Sequence, residues 1–543
     1  MTEPEDEPTP TGATEPADPA AEQVVAAAGA EAAALDSEAQ ARDAERDAPV
    51  DRSGRARRAA VVGLRVVTGV IGVAVALAVI AATGLLPVRS FAAAVPTTTV
   101  TPVPAPQLRV CPGALLHLGD ATGQTAGTPS GIGAPQRRAS AQGAQVATDA
   151  LAASDAGTGG TSSAPMTLRI DGGSGLLAGA QSQTAKTDDE TGFAASACAE
   201  PSGSAWLVGG STMTGRTTLL TLANPTQVDA TVALAIYGEK GPVTAPGLAG
   251  ITVAAGSQRV VSLAGFAPDL ASPVVHVTAR GGRILAALQQ STVRGLDAGG
   301  VDLVGPTVDP ATALRIPGVR VAGADAVAQS LALDDWTDAT PSIRVGNPGT
   351  QGAKVHVSLR PEAAGAKGTS FDLDVPAGST KEVGLDSGAD TDTGALAIPD
   401  GEYTVTVDSD LPVVAAARIS TASAPPANGD APASDFAWDV AAPALQGPTL
   451  VTIAPGPDPR IAFSAGSGAA GTVTLTGVGG AADVTLTVPA SGQASAPVAA
   501  GASYELQGAD GMVASVGYAG SAQLSGYAIT SPRPVSGPLV VRP

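Results

Sequence analysis

TTLLTLANPTQVDATVALAIYG (residues 217–238), PSIRVGNPGTQGAKVHVSLR (341–360) and PRIAFSAGSGAAGTVTLTG (459–477) share one pattern. Each reads as a strand, a turn rich in Gly, Pro, Asn or Ser, and an alternating strand. A second shared element follows each: ITVAAGSQRVVSL (251–263), FDLDVPAGSTKEVGL (371–385) and VTLTVPASGQASAPV (484–498). A third closes each unit: SPVVHVTARGGRILAALQQST (272–292), GEYTVTVDSDLPVVAAARIST (401–421) and ASYELQGADGMVASVGYAGSA (502–522). In this third element two strands are expected to pair across a short turn. The alternation is clearest where Tyr403, Val405 and Val407 point one way and Thr404, Thr406 and Asp408 the other. A slip of one residue would expose the apolar row, so the pattern specifies register.

Three such units, each of about 100 residues, predict an all-β chain of tandem immunoglobulin-like β-sandwich domains. The expected boundaries are 206–310, 311–434 and 435–543, preceded by a less regular β domain at 107–205. That first domain holds the only two cysteines, Cys111 and Cys198. Two cysteines in one domain outside the cytoplasm predict a disulfide. Residues 119–165 are dense in Gly, Ser, Thr and Ala, and predict a long, partly disordered insertion.

The N-terminal hundred residues divide differently. Residues 1–50 carry 13 acids and two arginines with no apolar periodicity. Residues 1–58 are therefore expected to be a disordered acidic cytoplasmic tail. VVTGVIGVAVALAVIAATGLL (66–86) is uncharged and matches the roughly 20 residues that span a bilayer. A transmembrane helix is placed within 59–87. Arg52, Arg55, Arg57, Arg58 and Arg65 precede it, which puts the N-terminus in the cytoplasm and the C-terminal domains outside. Ala92-Ala93-Ala94 would suit cleavage of a signal peptide, but the apolar run exceeds the usual 7 to 15 residues of such signals. Residues 88–106 are rich in Thr and Pro and read as a stiff stalk.

Composition narrows function. The chain has 543 residues, a net charge of −20 and only 3% aromatics. An acidic protein repels phosphate backbones, so nucleic acid is not an expected partner. There is no G-x-S-x-G elbow, phosphate-binding loop or H-E-x-x-H motif. His117, His276 and His356 are dispersed; the last two occupy alternating strand positions. The acidic runs Asp188-Asp189-Glu190 and Asp334, Asp335, Asp338 lack the spacing of a calcium loop and read as solvated charges. No cofactor and no metal is expected. Trp206, Trp336 and Trp438 each sit near the start of a unit, which favours buried structural aromatics over exposed sugar-stacking platforms.

Several motifs carry a resemblance. They are Cys198-Ala199-Glu200-Pro201, Ala205-Trp206-Leu207-Val208-Gly209-Gly210, Leu222-Ala223-Asn224-Pro225, Val375-Pro376-Ala377-Gly378-Ser379, Leu411-Pro412-Val413-Val414-Ala415 and Asp435-Phe436-Ala437-Trp438. Across roughly residues 107–540 the chain resembles actinobacterial envelope proteins grouped as domain of unknown function 5719. The last unit departs from the pattern, with Phe463-Ser464-Ala465-Gly466 where an Asn-Pro turn is expected. The resemblance implies topology and fold but no activity or catalytic residue.

The combined expectation is a membrane-anchored extracytoplasmic structural or adaptor protein of the cell envelope, without catalysis. Its partners would be the membrane, through a single span, and other envelope proteins or glycans. A polysaccharide-binding or assembly-accessory protein is the alternative. An extracytoplasmic hydrolase is the second alternative, and would require an acid, a base and a nucleophile to converge in one pocket.

Overall fold

A computed structural model describes residues 69–78, 98–100, 106–118, 128–153, 163–171, 175–333, 336–385, 398–428, 430–465, 468–532 and 539–541. Residues 98–541 form one compact all-β unit.

Within it, three sets of eight strands share one order. In the first set, Ser204–Val208, Val274–Gly281 and Ala230–Gly238 make one sheet, with Ala249–Val253 also on Ala230–Gly238. The facing sheet runs Ser257–Ser262, Arg216–Asn224, Leu285–Arg294, Asp297–Val304. The second set places Ala311–Val321, Ala353–Pro361 and Thr369–Val375 around the first half of Gly401–Ala422. Its other sheet combines Thr380–Gly384, Ser342–Gly346, the second half of Gly401–Ala422 and Ser434–Val440. The third set repeats the arrangement with Thr449–Thr452, Ser503–Gln507, Gly471–Val478 and Val484–Val488 against Gln493–Pro497, Arg460–Ser464, Val513–Gly520 and Gln523–Ala528. The first domain is smaller. Its main sheets are Gln107–Cys111, Met166–Ile170, Ala147–Ala150 and Gln136–Ala141, Leu177–Lys186, Thr191–Ala197.

The quoted elements do not form hairpins. Val274–Gly281 and Leu285–Arg294 lie in opposite sheets, as do Ser503–Gln507 and Val513–Gly520. In the middle unit one strand, Gly401–Ala422, passes from the first sheet to the second. Its pairing changes partner between Ser409 and Val414, around Pro412, whose nitrogen has no proton to donate. Alternation tells which side chains enter a core. It does not tell which sheet a strand joins, and that is why the expected pairing within the third elements fails.

Nor are the units independent beads. The last strand of each unit turns a second face into its neighbour. Phe436, Trp438 and Val440, from Ser434–Val440, enter the core built on Leu220, Leu222, Val232 and Ile236. Leu524 joins the core of the middle unit. Phe193 and Ala195 of the first domain join the core of the last unit. Val301 and Leu303 pack on Leu115, Ala185 and Ala194 of the first domain. Thr191–Ala197, Asp297–Val304, Ser434–Val440 and Gln523–Ala528 each touch the next, and the last touches the first. The units therefore close in a cycle. The ends of the compact unit also meet, because Thr98–Val100 pairs with Leu539–Val541.

Several boundaries shift accordingly. Ser204–Val208 straddles the expected 205/206 division, and the strand expected to begin the last unit, Ser434–Val440, is hydrogen-bonded to Gly401–Ala422. Thr98–Val100, three β-branched residues in succession, is a strand inside the expected stalk. Part of the expected disordered insertion is ordered. Pro129–Gly131, Gln136–Ala141 and Ala147–Ala150 are strands, because Gln136–Ala141 pairs with the long strand Leu177–Lys186. Residues 119–127 and 154–162 of that insertion lie outside the described residues.

The acidic tail and most of the expected membrane span also lie outside the described residues. Residues 69–78 are helical, and Val70, Ile71, Val73, Val75 and Leu77 are exposed. Among the described residues no helix is long and apolar enough to cross a membrane.

Candidate functional site

Four convergent edge strands leave backbone N–H groups that no ladder satisfies, and buried side chains take them up. The Asp435 carboxylate accepts from Phe193 N at 2.8 Å, Leu524 N at 3.0 Å and Val301 N at 3.1 Å. It thereby touches all three other strands of the cycle. Asp302 accepts from Trp438 N at 2.7 Å and from the Ser525 hydroxyl at 2.8 Å. Ser525 in turn accepts from Ala195 N at 2.8 Å. Glycine allows this approach. A Cβ on Gly192 would stand 2.5 Å from the Asp435 carboxylate, and one on Gly300 2.9 Å from Asp435 Cα. Both have φ in the left-handed half, at +133° and +119°. Burial pushes Asp302 and Asp435 well above the usual carboxylate range, although hydrogen bonds to each pull the other way. Burial likewise raises nearby Asp439 to about 8, with Glu402 adding to the shift.

A second buried network joins the two middle units. Asp338 accepts two hydrogen bonds from Arg294, both at 2.8 Å, and lies 3.0 Å from Arg216 and 3.6 Å from Arg418. Burial pushes its carboxyl up, but the arginines outweigh it and the net shift is downward. Arg294 stacks on Trp336 at 4.2 Å, Arg344 on Trp438 at 4.3 Å and Arg418 on Phe436 at 4.6 Å. Trp438 also donates from its indole to Gln290 at 2.8 Å. Trp206 stacks almost parallel on its cross-strand partner His276, with 4.1 Å between ring centres. Trp206, Trp336 and Trp438 are all buried. Each tryptophan thus has a flat polar or cationic partner rather than an open face.

Cys111 and Cys198 form a disulfide that ties Gln107–Cys111 to the end of Thr191–Ala197. His117 contacts Glu190 at 3.1 Å, and His356 contacts Asp372 at 2.7 Å. Asp338 faces Arg216, Arg294 and Arg418, while Asp334 and Asp335 lie outside the described residues. Among the described residues no three His, Cys, Asp or Glu side chains gather as a metal site.

One concave feature among the described residues is a cleft of about 740 Å³ where the units meet. Arg109 and Glu200 come from the first domain, Trp206 and Asp309 from the next unit, Trp438 from the strand that follows the middle unit's crossing strand, and Thr530 from the last unit. Clefts of about 300–1,000 Å³ at domain junctions are the usual setting of small-ligand sites. At one wall Ser204 Oγ lies 2.9 Å from His276 Nε2. Burial lowers the imidazole pKa, and the charge of Asp309 partly offsets this. Ser204 begins an antiparallel edge strand, opposite Thr278, and His276 lies on the neighbouring strand opposite Trp206; Ser204 is not on a strand-to-helix turn. Ser204 and His276 are 72 residues apart and Asp309 belongs to no motif, while Glu200, Ala205, Trp206 and Trp438 stand in quoted motifs that do not mark them as one site.

No curated protein matches the chain. A family model does match, over residues 152–501, which is more than half of the chain and includes three of the four convergent strands. The chain belongs to the family of unknown function DUF5719.

Proposed function

We propose that this chain is a non-catalytic adaptor of the cell envelope, tethered by its N-terminal apolar segment, that holds a ligand in the cleft between its units. The observation that carries this reading is the make-up of the cleft: every unit supplies part of its wall. Binding would then depend on the closed assembly, which gives a reason for stitching the units together. The units themselves are inferred to be immunoglobulin-like sandwiches, since two antiparallel sheets with crossing connections share one core in each. A photo-crosslinking residue at Thr530 or Asp309, both exposed on the cleft, should capture a ligand in intact cells. The same residue at exposed Val228, outside the cleft, should not. Equal capture at all three positions, or none, would reject the adaptor reading.

The Ser204–His276 contact favours a second reading, an extracytoplasmic hydrolase in which His276 takes the Ser204 proton. A fluorophosphonate should leave Ser204 unlabelled if the chain is an adaptor. Stoichiometric labelling that disappears in His276→Gln would establish the hydrolase instead.

A further inference from the structure

We propose that the cleft takes a neutral oligosaccharide, held by Glu200 and Asp309, and this rests on the adaptor reading above. Among the described residues no lysine lines the cleft, and the arginine that does, Arg109, is only 6% exposed. Phosphate or sulfate esters and other polyanions would find no accessible cation among these residues. The chain as a whole carries −20, which opposes them further.

The accessible polar groups are of another kind. Glu200 is half-buried and Asp309 exposed, and neither has an ion-pair partner among the described residues. An unpaired carboxylate has up to four acceptor sites. Adjacent sugar hydroxyls donate to such acceptors without bringing a charge. Ser204, Thr530 and Gln446 add exposed groups on the cleft that both donate and accept. Between these, Val308, Pro443 and Ala444, partly or fully exposed on the cleft, offer apolar surface for the C–H faces of a pyranose ring.

An extended peptide is less well served. It would need an open strand edge to pair with. Ser204–Val208, the strand on this wall, is paired with Val274–Gly281, and on its other side Trp206 bridges Thr307. Thr307 N donates to Trp206 O at 2.9 Å, so that edge is occupied in the middle. A cationic peptide could still answer the two carboxylates, and it is the competitor that the test must include.

The protein carries its own reporter. It has three tryptophans, and two of them, Trp206 and Trp438, line the cleft. The full chain in detergent would be titrated with maltohexaose, cellohexaose, mannohexaose and chitohexaose while indole emission is followed. Hexagalacturonate and hexalysine serve as the anionic and cationic probes. At least one neutral hexamer is expected to shift the emission saturably. Glu200→Ala and Asp309→Ala should each weaken it at least tenfold while leaving the unfolding midpoint in place. Tighter binding of hexalysine or hexagalacturonate than of every neutral hexamer overturns the proposal. So does a neutral-sugar response that both alanine variants retain. If no probe binds while crosslinking at Thr530 and Asp309 still captures a ligand, the oligosaccharide is wrong and the adaptor reading survives. If both fail, both are rejected.

Discussion

The backbone N–H of Phe193 donates to the carboxylate of Asp435 across 2.8 Å, although 242 residues separate them in the chain. The same carboxylate accepts from Val301 and Leu524, so one side chain ties four units at a point. Replacing it by alanine would strand three donors without a ladder partner. An unsatisfied buried donor costs about 1–3 kcal/mol. Asp435→Ala should therefore lower stability by about 3–5 kcal/mol in urea unfolding, and amide exchange at Phe193, Val301 and Leu524 should accelerate together. A loss below about 1 kcal/mol would show that the node is incidental.

Buried acids elsewhere in the fold set a pH dependence. Asp439 is raised to about 8 and Glu402 to about 7, both chiefly by burial. Arg320 and Arg460 oppose the shift of Glu402, while Glu362 and Asp458 add to it. Acids with raised folded values stay protonated in the fold while the unfolded chain releases its protons near pH 4. Their effect is absent below that point, grows as pH rises toward 8, and destabilises the fold. Each proton held only by the folded state costs about 1.4 kcal/mol per pH unit. Asp338 and Glu382 are shifted downward and act oppositely, so the stability they supply is lost in acid. The urea midpoint should consequently be higher at about pH 5 than at about pH 8.5. Asp439→Asn, which imitates the protonated acid, should narrow that difference. A midpoint that rises with pH would contradict this assignment.

What the sequence revealed and what it hid divide along one physical line. Tyr403, Val405 and Val407 alternate along the strand, so their burial is a local property and could be read directly. The repeat at 217, 341 and 459 likewise announced equivalent strands, and these do occupy equivalent places in the sheets. Asp435 was visible only as part of a motif. Its meaning depends on Phe193, Val301 and Leu524, whose proximity follows from closure of the whole cycle. The Ser204–His276 pair was hidden for the same reason. Trp438 was expected to be buried near the start of a unit, but which core it fills, the one around Leu220 and Val232, was not legible.

That tryptophan gives a third test. Trp438 packs under Arg344, donates to Gln290 and accompanies Phe436 into the core around Leu220. Truncating a large core aromatic costs about 3–5 kcal/mol. Trp438→Ala should fall in that range, and Trp438→Phe should cost less because it keeps the ring under Arg344. Equal losses for the two variants would assign the effect to the indole hydrogen bond rather than to packing.

The disulfide supplies a fourth. Digests made without reduction should contain one Cys111–Cys198 peptide pair, with no thiol available to alkylation. Closing a loop with a sequence separation of 87 contributes about 4–5 kcal/mol in the chain-entropy model. Reduction should loosen Gln107–Cys111 first, since that short strand is otherwise held by Met166–Ile170, the bridge between Val110 and Ala199, and the Gln107 side-chain amide on Gly175 and Leu177. Unchanged amide protection of residues 107–111 after reduction would show that the ladder alone suffices.

The final prediction concerns cooperativity. Beads on a string unfold one at a time, because each holds a complete core. Here Phe193 and Ala195 belong to the core of the last unit, Leu524 to that of the middle unit, and Trp438 to that of the unit before it. Melting any unit would expose part of a neighbour's core and break hydrogen bonds at Asp435 or Asp302. Exposing one large apolar side chain costs about 1.5–3 kcal/mol, and each unit would expose at least one. The interfaces thus couple units that share one sequence pattern. Calorimetry of residues 98–541 should give a single transition whose calorimetric and van't Hoff enthalpies agree closely. A chain ending at residue 442, which lacks the last unit, leaves Phe193, Ala195 and the Asp435 carboxylate uncovered on that side. It should melt at a lower temperature and associate through the exposed patch, even though the strands of the first three units remain in its sequence. Resolved transitions in the intact protein, or a truncated chain as stable as the whole, would mean that the cycle is a packing arrangement without energetic coupling.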